Sequence, residues 1–443
     1  MPDDGVLNES IKAHASANMG ERTYADTVAR GFYGKNVGGL FGKYDNVRAH
    51  WEDAMTRVAL RPFVRERVER CVREGRGVRI LDLGCGAGQG YEQLIRIDSR
   101  DLDLADEHRY VLRPEQIELY LGLDLSDAMV EKGRENYHGL PTIKFDVADL
   151  REGLGQARAN TPFDIYFSSY GALSHLEARA LRQCLRDIAG HAKPGAIVVL
   201  DLLGRFSPEW PSYWSAKTEE EKVRPYSMSY LYPPSERNSG AVEQFPIRFW
   251  TGAEVRALTA EVSEECGVDV RVSELLDRSI FVGRHVDTGE YGTSLPPLRS
   301  QVNQLYEQNI RTNLEKLRAF YRDVPGADEQ NRFFRKLTTC WNVLVDFTIE
   351  RLRGTRPNLV DLHGWRDYRP ELQMALMTID RIIDGVAWID VGDVRANVIE
   401  PQLAYCLRRM QHQLQEGLGC GHGLVAVLQI GEPLGAKATT VRR

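Results

Sequence analysis

The pattern of apolar and polar positions divides the chain into two styles. Between about residues 75 and 290, short apolar runs alternate with stretches of helical period. Val78, Ile80, Leu81 and Leu83 form a run that suits a buried strand. Further strands are predicted at 117–124, 142–149, 162–168 and 196–203. Helical segments fall between them, at 91–95 and through Leu181, Leu185 and Ile188. Strands that alternate with helices predict a parallel sheet in an α/β fold. A helix follows at 250–258, and 268–276 alternates like a strand. From Pro296 the period becomes helical throughout. Leu298, Val302, Leu305, Ile310, Leu314 and Leu317 share one face, as do Phe334, Leu337, Trp341, Val345 and Ile349. More helices are predicted at 371–384 and 396–417, and 421–430 again reads as a strand.

Two segments fit neither style. Residues 1–60 are polar and then rich in aromatics (Phe32, Tyr33, Phe41, Tyr44, Trp51), turning helical from about Asp45 through Val47, Trp51, Met55, Val58 and Leu60. Residues 204–248 show no regular period, yet carry Trp210, Tyr213, Trp214, Tyr226, Tyr230 and Tyr232. A charged stretch at 98–109 looks like a surface insertion ahead of the second strand. Arg284, His285 and Asp287 form a polar cluster of no evident purpose.

Composition narrows the picture. The 443 residues suffice for two or three domains, and the 42% apolar content supports a sizeable core. With 57 Lys and Arg against 63 Asp and Glu, the formal charge is −6, so there is no basic excess to favour nucleic acid as a partner. The seven cysteines are dispersed without a Cys-x-x-Cys pair, which suits free thiols in a reducing cytoplasm. Cys420 and His422 are neighbours, but two ligands do not make a zinc site. The acidic start is no signal peptide, and no run of 18 apolar residues exists to span a membrane.

The chemistry begins where the first strand ends. Gly84, Gly86, Gly88 and Gly90 alternate through a turn that leads into a helix. A dinucleotide fingerprint wants glycine at the first, third and sixth places, and the sixth is Gln89 or Tyr91 in the two possible registers. What stands here is Asp82-x-Gly84-x-Gly86-x-Gly88. It is followed by Asp124 at the end of the second strand, Phe145 and Asp149 on the third, Phe163-Asp164 before the fourth, and Lys193-Pro-Gly195 before the fifth. In this order the set resembles the class I S-adenosylmethionine-dependent methyltransferases. The resemblance covers about 75–290 and a final strand. It implies a Rossmann-like class I sheet whose last two strands form an antiparallel pair, with a helical domain inserted before the chain returns.

The resemblance also implies roles. S-adenosylmethionine would be the cofactor, held by Tyr44, Asp82, Gly84, Cys85, Gly86, Asp124, Leu125, Met129, Asp149, Leu150 and Ser168. Asp124 would accept the ribose hydroxyls, and Asp149 the adenine amino group, with Asp146 a rival one small register shift away. Asp124 could instead cap the next helix, as could Ser126 or Asp127. Tyr44, Trp51 and Arg57 would belong to a lid. His175 or Tyr170 would serve as a base, although a histidine at a helix start is also an ordinary surface residue. Ser174-x-x-Glu177 matches a capping box, which makes Ser174 a cap. Trp214, Tyr226 and Tyr230 would meet the substrate. No metal is required, because the sulfonium methyl is already activated.

The expected organisation is an N-terminal helical lid at 1–60 and a methyltransferase domain at 61–290 with its substrate-side insert at 204–248. A helical domain at 291–418 follows, then a final strand and polar tail at 419–443. The expected reaction transfers a methyl group to a nitrogen or oxygen of a small polar molecule, without nucleic acid or membrane. The helical domain would form a substrate lid or a homodimer interface. A nicotinamide-dependent oxidoreductase and a non-catalytic cofactor-binding partner are the rival readings.

Overall fold

In the computed structural model, which describes residues 28, 44–100, 109–237, 242–292, 295–355, 359, 362 and 364–434, the glycine turn lies at the centre of a twisted sheet. A π-helical turn, Arg48–Glu52, runs into helix α1, Asp53–Arg73. Then come β1 (Val78–Leu83), α2 (Gln89–Ile95), β2 (Ile117–Asp124), α3 (Asp127–Tyr137), β3 (Ile143–Val147), β4 (Ile165–Phe167), α4 (Ala178–His191) and β5 (Ile197–Gly204). The chain continues through β6 (Val223–Ser227), β7 (Gln244–Trp250), α5 (Gly252–Cys266) and β8 (Val268–Arg278). Four helices follow: α6 (Leu298–Gln304), α7 (Asp328–Leu352), α8 (Pro370–Gly385) and α9 (Glu400–Leu414). The last strand is β9, Gly423–Pro433.

The main sheet has the order β3-β2-β1-β4-β5-β9-β8. Strands β1 to β5 are parallel, and β9 runs antiparallel to both of its neighbours. This is a Rossmann-like α/β fold with added helices. Its strands are apolar because both faces are covered. Alternate residues of each strand serve opposite faces. Ile80, Tyr120, Phe167, Val199 and Val427 face α1 and the helical block, while Leu81, Leu121, Tyr166, Val198 and Ala426 face α4 and α5. The register puts Gly423 of β9 opposite Leu203 of β5 and Arg278 of β8. His422 therefore sits at the edge where the parallel strands end.

Three local expectations fail. Residues 204–248 contain a hairpin, β6 with β7, joined in parallel to the end of β5 through Leu203–Phe249 and Gly204–Trp250. Each hairpin strand carries a proline, and Pro225 faces Pro246 in the register. Proline removes a ladder donor, so neither run reads as a strand. The single helix expected from Leu298 to Leu317 stops at Gln304, and only a 3-10 turn returns at Leu314–Leu317. Asn309 adopts a left-handed φ of 61° between them, and its N–H donates to Asn397 at 2.8 Å. Ser174 is not a helix cap. Its hydroxyl accepts from the Leu203 N–H at 2.8 Å, and α4 starts after Glu177 without a side-chain cap. The cap of α3 is Ser126, which accepts from Met129. Residues 1–27, 29–43, 101–108 and 435–443 lie outside the described residues. Most of the expected lid, including Phe32, Tyr33 and Phe41, most of the charged insertion and most of the polar tail therefore lie outside as well.

Candidate active site

A cavity of about 990 Å³ opens at the C-terminal ends of the parallel strands, where open α/β sheets bind ligands. One wall is the glycine turn. Gly84 and Gly86 take left-handed φ values of 68° and 53°, which side chains disfavour. The N–H groups of Gly84 and Cys85 both donate to the Leu123 carbonyl, at 2.8 and 2.9 Å. The Gly86 N–H donates to Asp124 Oδ2 at 2.8 Å, and the Ser126 N–H to Oδ1 at 3.0 Å. Asp124 thus ties the turn after β1 to the end of β2. Burial pushes its carboxyl up, and the amide bonds from Ser126, Gly86 and Leu125 work against that. With about four acceptor sites, the carboxylate keeps room for a further bond beside these amides.

Leu125, Met129, Asp149 and Leu150 extend this wall. Asp149 is half-buried and engaged by Arg151, whose N–H and Nε both donate at 2.9 Å. Asp146 is exposed, 3.8 Å from Arg134, and does not reach the cavity. Tyr44 stands behind the wall. Its hydroxyl accepts from Gln89 Nε2 at 3.3 Å and its ring lies 4.7 Å from the Arg48 guanidinium. Gln89 and Arg48 themselves line the cavity.

Four expected site residues are not on the cavity wall, Tyr44 among them. Asp82 is fully buried behind the turn, bonded by the Tyr120 hydroxyl, and burial raises its pKa to about 7. Ser168 is buried in the sheet, and its neighbour Ser169 lines the cavity instead. Trp214 donates to the Ser207 carbonyl at 2.9 Å and stacks on Phe334 of α7 at 5.7 Å. It belongs to the contact with the helical block. Trp51 of the expected lid is likewise core, packed 6.0 Å from Trp341.

Beyond β4 the chain turns sharply. Tyr170 has a φ of 57°, a strained value for a side-chain residue. Its N–H donates to Asp201 Oδ2 at 2.8 Å, and its hydroxyl to Asp53 Oδ1 at 3.2 Å. The Arg48 guanidinium lies 4.2 Å from its ring centroid. Burial pushes the phenol up to about 12, so it carries its proton at neutral pH. His175 opens into the cavity beside Phe245, with ring centroids 4.9 Å apart. The residue is exposed to solvent, and desolvation by its neighbours lowers its pKa to about 4.

The far wall holds groups that sequence reasoning missed. Arg278 pairs with Asp201 at 2.8 Å, Arg284 with the buried Glu52 at 2.9 Å, and His422 with the buried Glu209 at 2.8 Å. Tyr226 and Tyr230 stand among them. The sequence signals for them were the unexplained polar cluster around Arg284 and the neighbours Cys420 and His422, which were weighed only as a metal pair. Among the described residues no group of three His, Cys, Asp or Glu could hold a metal ion. No helix of the described residues is long and apolar enough to cross a membrane, and all seven cysteines are free.

A family model described as a methyltransferase domain matches residues 109–195, from just before β2 to the turn before β5. No curated protein matches the sequence. Among solved structures, the chain is similar to a S-adenosylmethionine-dependent methyltransferase from Clostridium acetobutylicum ATCC 824, at 15% identity over 52% of this chain and 90% of that one, TM-score 0.32. It is also similar to the CcbJ methyltransferase from Streptomyces caelestis, at 16% identity over 55% of this chain and 89% of that one, TM-score 0.32. The matched segment lies within the Rossmann-like sheet that carries the cavity, and over residues 109–195 the chain matches a methyltransferase domain.

Proposed function

We propose that the chain uses S-adenosylmethionine to methylate a nitrogen or oxygen of a small molecule. The observation that carries this reading is the convergence of the Gly84–Gly86 turn, Asp124 and Asp149 on one wall of a single cavity. A Cβ on Gly86 would meet only Gln89 Oε1, at 3.9 Å, so the space before that backbone is the cavity itself. Asp124, with acceptor capacity left beside its amide bonds, suits a ribose hydroxyl. Asp149 and the Leu150 backbone suit an adenine edge. When bound, the cofactor supplies an activated methyl group on sulfur. The protein's part is to align the acceptor with it, and alignment alone can supply about 7–11 kcal/mol of a barrier.

Tyr170, pinned by Asp201, Asp53 and Arg48, is a rigid positioning group at the junction of the two walls. His175 is neutral at pH 7, since its pKa lies near 4, and it offers the acceptor a hydrogen-bond partner more than a strong base. The cavity is at the upper end of the usual small-molecule range, which leaves room for a compact acceptor beside the cofactor. Titration calorimetry with S-adenosylhomocysteine and with NAD tests the reading. We expect binding of the first alone. Tight NAD binding without the sulfur ligand overturns it.

A further inference from the structure

The far wall contains a hydrogen-bonded chain that the reading above leaves unused. His422, one residue before β9, places Nδ1 2.8 Å from Glu209 Oε2 and Nε2 3.3 Å from the Tyr226 hydroxyl. Glu209 is fully buried and fixed from two other sides. Its Oε1 accepts from the His285 N–H, and its Oε2 from the Ser207 hydroxyl at 3.0 Å. An ionised carboxylate only accepts, so the His422 proton sits on Nδ1 and points at Glu209. Nε2 is then left to accept, and the Tyr226 O–H donates to it. Both Tyr226 and His422 line the cavity. The Tyr226 ring is itself braced, 5.9 Å from Phe245 and 6.5 Å from Trp210.

We propose that Glu209, His422 and Tyr226 form a proton relay that deprotonates a hydroxyl of the methyl acceptor, so that the site makes methyl ethers on a small molecule with a flat, largely apolar body. This rests on the methyl-transfer reading. An amine in its neutral form attacks without losing a proton first, whereas a hydroxyl is a poor nucleophile until its proton leaves. In the step, a lone pair on the acceptor oxygen forms the new carbon–oxygen bond. The carbon–sulfur bond breaks and leaves its electron pair on sulfur. The hydroxyl proton passes to the Tyr226 oxygen as the tyrosine's own proton passes to His422 Nε2. The imidazolium so formed is offset by the Glu209 carboxylate and later returns its proton to water. Tyr226 and His422 are the catalytic residues, and Glu209 is a positioning residue that acts through His422. Phe245, Met228 and Tyr230 beside the relay supply the apolar surface for the acceptor's body.

Histidine NMR on the full chain tests the relay directly. The groups around His422 are Glu209 after β5, Tyr226 on β6, His285 after β8, Glu52 with its partner Arg284, and Arg278 on β8, whose guanidinium packs beside the adjacent Gly423. With nitrogen-15 histidine, assigned against His422→Asn, we expect the neutral ring to carry its proton on Nδ1. Glu209→Gln should lower the ring's proton affinity about tenfold or more, since it removes the adjacent opposite charge. A proton on Nε2, or a titration that Glu209→Gln leaves unmoved, overturns the relay. A competition assay tests the acceptor class, with deuteromethyl-labelled S-adenosylmethionine offered to a mixture of phenols and primary amines. Labelled ethers should form, and should fall about 100-fold or more in both variants, while calorimetry shows unchanged S-adenosylhomocysteine binding. Labelled amines formed equally by wild type and variants overturn the proposal. Failure of the wild type to bind S-adenosylhomocysteine is a separate result that removes the methyl-transfer reading, and the tautomer measurement does not depend on it.

Discussion

Two aspartates of the glycine turn look alike in sequence and differ in place. Asp124 faces the cavity and fastens the Gly86 and Ser126 amides. Asp124→Ala leaves those amides and a bound hydroxyl without an acceptor, a loss of about 1–3 kcal/mol. S-adenosylhomocysteine affinity should therefore fall about 5- to 150-fold in calorimetry, and an unchanged affinity would remove Asp124 from the site. Asp82 works from behind. Its carboxyl fills the space beside Gly90, where a Cβ would come within 2.2 Å of Oδ2. That close approach is why the fourth glycine is needed. Burial holds the Asp82 carboxyl near pKa 7, far above its unfolded value. A raised folded pKa contributes stability that is fully present below about pH 4 and lost as pH rises through about 7. Asp82→Asn cannot lose that proton. The variant should gain stability over wild type between pH 5 and pH 8 in denaturant melts, as an order-of-magnitude window, and keep its ligand affinity.

At the scale of elements, the loop that returns the chain to the sheet sets the far wall. The Asp277 carboxylate at the end of β8 accepts from the amides of Leu418, Gly419 and Cys420, at 2.9, 2.7 and 2.8 Å. This bundle of bonds fixes the path to His422. Asp277→Ala strands three donors, two of them fully buried, and should cost on the order of 3 kcal/mol or more. Asp277→Asn, which keeps one acceptor oxygen, should cost less, and equal midpoints for the two variants would contradict this account. The same loop shows what sequence can and cannot reveal. The parallel strands were legible because burial on both faces demands apolar runs such as Ile197–Leu200. The turn residues Gly84, Gly86 and Asp124 were legible because each strand end has its own local chemistry. The β6–β7 hairpin was hidden by its facing prolines, and the break at Asn309 by an apolar spacing that continues past it. Glu209, Arg278, Arg284 and His422 come from separate segments, and no local pattern links them. They meet only because β9 enters between β5 and β8.

At the scale of the whole molecule, the helical block and the sheet share a core. Trp51 before α1, Phe281 after β8, and Phe334 and Trp341 of α7 are all buried together, with Phe281 5.6 Å from Trp341. Buried charge joins the same parts. Glu52, 1% exposed, meets Arg299 of α6 at 2.7 Å and Arg284 at 2.9 Å. Burial would push its carboxyl up, but the guanidiniums of Arg284 and Arg299 outweigh that and hold it well below the usual range. Asp45, bound to the same Arg299, is also lowered. A lowered folded pKa contributes stability that is present above the unfolded value, about 4–4.5 for these acids. It is lost as pH falls below that value and through the folded pKa. The block should therefore stay docked at neutral pH and loosen together with the sheet in acid. We expect calorimetry at pH 7 to show one cooperative transition, whose midpoint drops steeply below about pH 4.5. Glu52→Gln removes the group that titrates and leaves two buried guanidiniums short of a countercharge. That should cost about 3–5 kcal/mol at pH 7 and flatten the acid limb relative to wild type. Two separate transitions in the wild type, or an acid limb as steep in Glu52→Gln, would mean that this ion cluster does not couple the helical block to the sheet.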